Sequence, residues 1–239
     1  MDMFIGRARE LETLEKIWGS GHYKACCVYG RRRIGKTSLL REFVRGKRNI
    51  FIEMVRGTLA DNVQRIARII DPDGPRDALT LFDTMRSLER ICSEESIVVV
   101  LDEFPYLIEG SPSAASEVKQ FVDRICDSTG SMLIVCGSSI SMMKEFLDNP
   151  DNPLYGRFLN RIDLGPLSID ETRSFHPGAD DFDLIRTYLT LGGIPMYHRL
   201  AGDRDYPSMV NECLFDPSGP FVNDPQAIIA AELKGLGAN

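Results

Sequence analysis

The sequence predicts an α/β domain, a parallel sheet flanked by helices, followed by a small helical domain. Three observations carry that prediction. Short continuous apolar runs alternate with helical apolar stripes through residues 1–165. The runs are rich in Val and Ile and bounded by turn residues, as strands covered on both faces are. After Gly165-Pro166 no strong strand run follows.

The elements follow in chain order. Leu11, Leu14, Ile17 and Trp18 share one helical face, and Trp18 is assigned to the core. Ala25–Tyr29 reads as the first buried strand and residues 49–54 as the second. Leu59, Val63, Ile66 and Ile70 form a helical stripe, as do Ala78, Leu81, Met85 and Leu88. Residues 96–101 form the third strand run. Ser111-Pro112 opens a helix with a capping side chain and then a proline at the first position. That helix carries Ala114, Val118, Phe121 and Ile125 on one face. Residues 131–136 are the fourth strand, and Ser139 reads as the N-cap of a further helix. A weaker fifth strand covers residues 160–164. The domain boundary is placed near 165, giving domains 1–165 and 166–239. Ser168-x-x-Glu171 is a capping box. Asp181–Leu191 carries Phe182, Ile185, Tyr188 and Leu189 at helical spacing. The tail from Pro217 is rich in Pro and Gly.

Composition sets the class. In 239 residues, 43% are hydrophobic and 26% charged, ordinary proportions for a globular protein with a sizeable core. The net charge of −7 argues against broad nucleic-acid binding and leaves room for a local basic groove. Arg31 to Arg48 concentrates eight basic residues against one acid, Glu42. The six cysteines form no CxxC pair, which points to buried, reduced thiols in a cytoplasmic protein. The N-terminus has no apolar signal core, and no run approaches membrane-spanning length, so no membrane partner is expected. His22, His176 and His198 are scattered and nominate no metal site or triad.

Three motifs carry chemistry. Gly30-Arg31-Arg32-Arg33-Ile34-Gly35-Lys36-Thr37 fits GxxxxGK[ST] in full, between a strand and a helix that continues through Ser38. Phosphate oxygens need several backbone N–H donors converging on one point, and Gly30 and Gly35 let the chain curl that tightly. Arg33, Ile34 and Ser38 complete the loop, whose helix adds its N-terminal dipole. Lys36 is placed to reach the β- and γ-phosphates and the Thr37 hydroxyl to ligate Mg²⁺. Arg31, Arg32 and Arg33 either touch phosphate or form a solvated basic rim. The second motif is a hydrophobic strand ending in Asp102-Glu103. Ligands gather at that edge of open α/β sheets. Asp102 would hold Mg²⁺ through water, and Glu103 would act as general base on the attacking water. The third is a strand ending in Gly137-Ser138-Ser139, whose hydroxyls suit the γ-phosphate or the lytic water.

Together these motifs resemble the prokaryotic, largely archaeal, AAA-type ATPases of the STAND group (signal-transduction ATPases with numerous domains). The likeness includes Phe4-Ile5-Gly6-Arg7, Asp102-Glu103-Phe104-Pro105-Tyr106-Leu107, Cys136-Gly137-Ser138-Ser139, Pro153-Leu154-Tyr155-Gly156-Arg157 and Leu191-Gly192-Gly193-Ile194-Pro195. The resemblance implies a P-loop NTPase core with a helical lid. It implies that Ile5, Gly6 and Arg7 border the adenine, and that Ser138 occupies the sensor-1 position. It implies that Arg157 reads the γ-phosphate, often from a neighbouring subunit, where a guanidinium stabilises charge on the transferring phosphoryl group. Gly193-Ile194-Pro195 resembles the GxP element of STAND lids, with Pro195 at the base; it also reads as a helix C-cap glycine followed by a proline. Family members usually continue into winged-helix and nuclease-like segments; this sequence stops at Asn239, as a short gene product or as a fragment.

Three functions remain open at this point. One is a Mg·ATP-hydrolysing switch that cycles between ATP and ADP and meets a homo-oligomer or protein partner through its lid. The second is a nucleotide-binding module with negligible turnover. The third is a DNA-directed ATPase or loader, which the acidic net charge does not support. A small-molecule kinase fits the Asp102-Glu103 pair poorly.

Overall fold

The computed structural model describes residues 4–21, 23–74, 79–109 and 111–222. Two compact units make up the chain. The larger comprises Ala8–Arg31 and Lys36–Leu164; the smaller takes the described parts of Met1–Arg7, Arg32–Gly35 and Gly165–Asn239.

The larger unit runs α1 (Ala8–Gly19), β1 (Ala25–Tyr29), α2 (Lys36–Phe43), β2 (Asn49–Glu53), α3 (Leu59–Ile70), α4 (Leu81–Glu94), β3 (Val98–Asp102), α5 (Pro105–Ile108), α6 (Pro112–Ser128), β4 (Met132–Gly137), α7 (Ile140–Asp148) and β5 (Asn160–Asp163). Its five strands form one parallel sheet in the order β2-β3-β4-β1-β5. β1, β3 and β4 are the central strands, and β3 and β4 are buried along their whole length. Parallel pairing puts every strand's carboxyl end on one edge, so the loops after β1, β3 and β4 open there. The helical stripes expected from periodicity supply the core: Leu14, Val63, Ile66, Leu88, Val118, Phe121 and Ile125 are all buried.

Several local expectations are corrected. β2 is an edge strand with an exposed end residue on each side, so the second run is not covered on both faces. The fourth strand starts after Ser131, whose hydroxyl accepts the Ile97 N–H at 3.1 Å and donates to the Cys92 carbonyl at 3.2 Å. Trp18 is half-buried, with the Lys24 ammonium 4.9 Å above its ring. Ser111 and Ser139 occupy N-cap positions without a side-chain capping bond. Thr58 and Thr80 instead make full capping boxes with Asp61 and Asp83. Ala78 and His22 lie outside the described residues.

The smaller unit contains α8 (Ile169–Thr172), a 3-10 turn (Arg173–Phe175), α9 (Asp181–Leu191), α10 (Pro195–Ala201), α11 (Tyr206–Met209) and a π-helical turn (Val210–Phe215). Ser168 and Glu171 form the expected capping box. Leu191, Ala201, Met209, Cys213 and Phe221 make its small core. On α9 the buried face is Leu184, Thr187 and Leu191, while Phe182, Ile185 and Leu189 are exposed, the reverse of the stripe singled out in the sequence. The C-cap of α9 is Gly192, not Gly193, and Pro195 starts the next helix rather than only stopping the last. His176 and His198 are not scattered: their rings are hydrogen-bonded at 2.8 Å. All six cysteines are buried, and none is in a disulfide. Among the described residues no helix is long and apolar enough to cross a membrane.

Candidate functional site

In the larger unit, the turn after β1 begins at Gly30. A Cβ built there would sit 2.5 Å from the Leu164 carbonyl oxygen, so no side chain fits between the ends of β1 and β5. Lys36, at the start of α2, is 5% exposed. Its ammonium donates to the carbonyls of Gly30 at 2.9 Å and Arg31 at 3.0 Å, which holds the cation inside the loop. One residue on, the Thr37 hydroxyl donates to Asp102 Oδ2 at 2.6 Å. Ser38 is exposed on the first turn of α2.

Asp102 is 1% exposed at the end of β3, the strand whose Val/Ile sequence buries it. Its other oxygen, Oδ1, accepts the Glu103 N–H at 3.0 Å. Glu103 follows with φ +50, a left-handed conformation that non-glycine residues rarely adopt. That turn aims its carboxylate at the end of β4. There Ser138 Oγ donates to Oε1 at 2.5 Å, and the Ser138 N–H donates to Oε2 at 3.3 Å. Such bonds bind a carboxylate tightly. Strain at Glu103 is thus tied to a side chain that bridges two strand ends. Beside Asp102, burial pushes the Cys136 thiol far above its ordinary value, so it stays an inert thiol.

The sheet edge therefore gathers Gly30, Lys36, Thr37, Asp102, Glu103 and Ser138. Arg157 is engaged elsewhere. Its Nε donates to Asp123 Oδ1 at 2.9 Å and Nη2 to Oδ2 at 3.3 Å, a fork on an α6 carboxylate that Lys119 also approaches at 3.0 Å. Burial pulls the Asp123 carboxyl upward, but Arg157 and Lys119 together bring it below its usual value.

In the smaller unit, the remaining loop residues adopt special backbone conformations. Arg33 has φ +66 and is exposed, while Ile34 is 3% exposed. Gly35 has φ +93, and a Cβ on it would lie 3.6 Å from Pro195 Cγ. Ile5 is half-buried and leads into Gly6 and Arg7, with φ +73 and +65. A Cβ on Gly6 would meet the Glu171 carboxylate at 2.8 Å. Arg7 is 4% exposed; its guanidinium donates to the carbonyls of Ile34 at 3.0 Å and Gly165 at 2.7 Å, and its N–H to Glu171 Oε1 at 2.8 Å. Gly193 is enclosed by the Leu167 backbone, whose N–H donates to the Gly193 carbonyl at 2.8 Å.

Sequence reasoning missed three partners. Glu171 caps α8 with one oxygen and holds Arg7 with the other, and its capping motif was the available signal. Asp123 gave no signal beyond an i,i+4 pair with Lys119. The His176–His198 contact joins residues on separate elements and is invisible to spacing.

Among the described residues no group of three or more His, Cys, Asp or Glu is arranged to hold a metal. The Thr37 hydroxyl and Asp102 carboxylate are adjacent hard oxygens. They fit Mg²⁺, which binds through one or two protein oxygens and fills its shell with water and phosphate.

The profile of an ATPase domain predominantly from Archaea matches residues 4–198. An uncharacterised protein of Methanocaldococcus jannaschii is 32% identical over 198 residues, covering 82% of this chain and 43% of that protein. The chain thus spans less than half the length of this relative. Among solved structures, the Walker-type ATPase of Pyrococcus abyssi superposes with a TM-score of 0.72 at 20% identity, covering 98% of this chain and 75% of that one. A STAND protein with a tetratricopeptide repeat sensor, from Pyrococcus horikoshii, gives 0.53 at 16% identity over 86% of this chain and 31% of that one. At such identities the two structures share the fold.

Proposed function

Since the chain belongs to the family of ATPase domains found predominantly in Archaea, we propose that it is a cytoplasmic, Mg²⁺-dependent, ATP-hydrolysing switch. The observation that carries the proposal is the gathering of Lys36, Thr37, Asp102, Glu103 and Ser138 at one sheet edge.

Each side chain has a role that its present contacts support. The buried Lys36 ammonium exchanges loop carbonyls for β- and γ-phosphate oxygens, gaining charge-assisted bonds. The Thr37 hydroxyl would ligate Mg²⁺ and Asp102 would hold it through water; the bound ion would neutralise charge on the phosphate oxygens. Gly30, Arg33, Ile34, Gly35 and Ser38 supply backbone and hydroxyl donors to the phosphates. Glu103 takes a proton from water, and the water oxygen bonds the γ-phosphorus in line as the bond to the bridging oxygen breaks and ADP leaves. Ser138 Oγ donates to Glu103, so Glu103 exchanges that hydrogen bond before it takes a proton from water. Arg157 acts only once its fork on Asp123 opens, and it then serves the chain's own site or a neighbouring copy's. From the family resemblance, Ile5, Gly6, Arg7 and Pro195 border the adenine. A homo-oligomer or a protein bound to the smaller unit is the expected partner.

The test is Glu103→Gln. ATP binding, measured by calorimetry, is expected to persist while turnover falls about 10²–10⁴-fold, the usual worth of a general base. Unchanged turnover would favour a nucleotide-binding module. Hydrolysis that appears only with DNA and falls steeply with salt would favour a loader.

A further inference from the structure

His176 follows the 3-10 turn and His198 lies within α10; they are 3% and 0% exposed. Their four ring nitrogens form one line of contacts. His176 Nδ1 is 2.9 Å from the Gly202 carbonyl oxygen, His176 Nε2 is 2.8 Å from His198 Nδ1, and His198 Nε2 is 2.6 Å from the Gly192 carbonyl oxygen.

Carbonyl oxygens only accept, so each outer contact needs a proton on the outer ring nitrogen. Two neutral imidazoles carry one N–H each, and the outer contacts consume both. The inner nitrogens then face each other at 2.8 Å with a lone pair on each side, which is repulsive. Three contacts need three protons, one more than a neutral pair has.

We propose that His176 and His198 form a proton-binding diad, in which one shared proton closes a hydrogen-bond chain between the Gly192 and Gly202 carbonyls. The contact geometry calls for one positive charge, while burial opposes it and holds both imidazoles below their ordinary value. Gly192 and Gly202 cap the C-termini of α9 and α10, the negative ends of both helices. Burial lowers His176 below its ordinary value, and the Gly202 carbonyl and the Asp203 charge offset only part of that. From α9 the Tyr188 ring stacks on His198 and its hydroxyl is spent on the Leu167 carbonyl. Phe175 places an uncharged ring 5.8 Å from the His198 ring. The nearby arginines are committed elsewhere, Arg173 to Asp181 and Arg204 to Glu212 and the Ala201 carbonyl. Burial pushes His198 down to about 4; the Gly192 carbonyl pulls the other way, and His176 as a like charge adds to the fall, so a second proton on the pair is opposed.

The proton matters to the backbone. Gly192 and Gly202 both have φ +63, and Gly192 leads directly into Gly193-Ile194-Pro195, whose proline ring faces Gly35. Losing the shared proton opens the inner His176–His198 contact, leaves each ring on its own carbonyl, and uncouples the Gly192 turn from the Gly202 turn. The diad is a pH-responsive link between the two turns, independent of the nucleotide reading.

Long-range ¹H–¹⁵N spectra of the full chain, titrated from pH 5 to 9, test this. At pH 5 three of the four ring nitrogens should carry protons, and both rings should lose the single shared proton at one common midpoint. Two neutral rings with two protonated nitrogens at pH 5 would overturn the proposal, as would two separate midpoints. In His176→Gln the His198 curve should change shape and midpoint; an unchanged curve would also overturn it. If that variant does not fold, the nitrogen count in the wild-type chain still decides.

Discussion

At the residue scale, the site rests on a few positions where geometry admits one side chain. The GxxxxGK[ST] match and the Asp102-Glu103 pair were legible because their spacing is set by the chemistry of phosphate and metal. The contacts that hold them were not. Nothing in the spacing shows Ser138 gripping Glu103, or Asp123 gripping Arg157, because both are made by folding across about 35 residues. Gly30 is the clearest single-residue test. Alanine there would press a methyl against the Leu164 carbonyl at 2.5 Å. Gly30→Ala is expected to cost about 1–3 kcal/mol, as overpacking does, read as a lower denaturant midpoint with an unchanged slope.

At the scale of elements, strands were easier to read than faces. Apolar Val/Ile runs can only be buried, so β1 coincides with its run, and β3 and β4 fall on theirs with ends shifted by one or two residues. Burial of the second run was overestimated because its place at the sheet edge depends on strand order, which hydrophobicity does not encode. On α9 the sequence carries two apolar stripes, and periodicity cannot say which one packs. Leu184 is 2% exposed and Leu189 78%. Leu184→Ala should therefore cost about 2–5 kcal/mol, and Leu189→Ser should stay within about 0.5 kcal/mol, in thermal or denaturant unfolding. Equal costs would mean that the Leu189 face is covered.

At the scale of the molecule, the smaller unit is discontinuous in sequence, and Arg7 explains why. Its guanidinium and N–H tie residues 5–7 to Ile34, Gly165 and Glu171, so three distant stretches cohere around one buried cation. No linear reading of composition finds such a unit. The central claim belongs to the whole chain: that Lys36 and its neighbours hydrolyse Mg·ATP. It is tested most directly by steady-state phosphate release from Mg·ATP, with wild type beside a Lys36→Ala variant whose fold is checked by circular dichroism. The account predicts Mg²⁺-dependent release that falls by about 10²–10³-fold on loss of the ammonium, the range seen when one charge-stabilising donor is removed. Release that is indifferent to Lys36→Ala, or a wild-type chain that binds ATP and releases no phosphate, would contradict it.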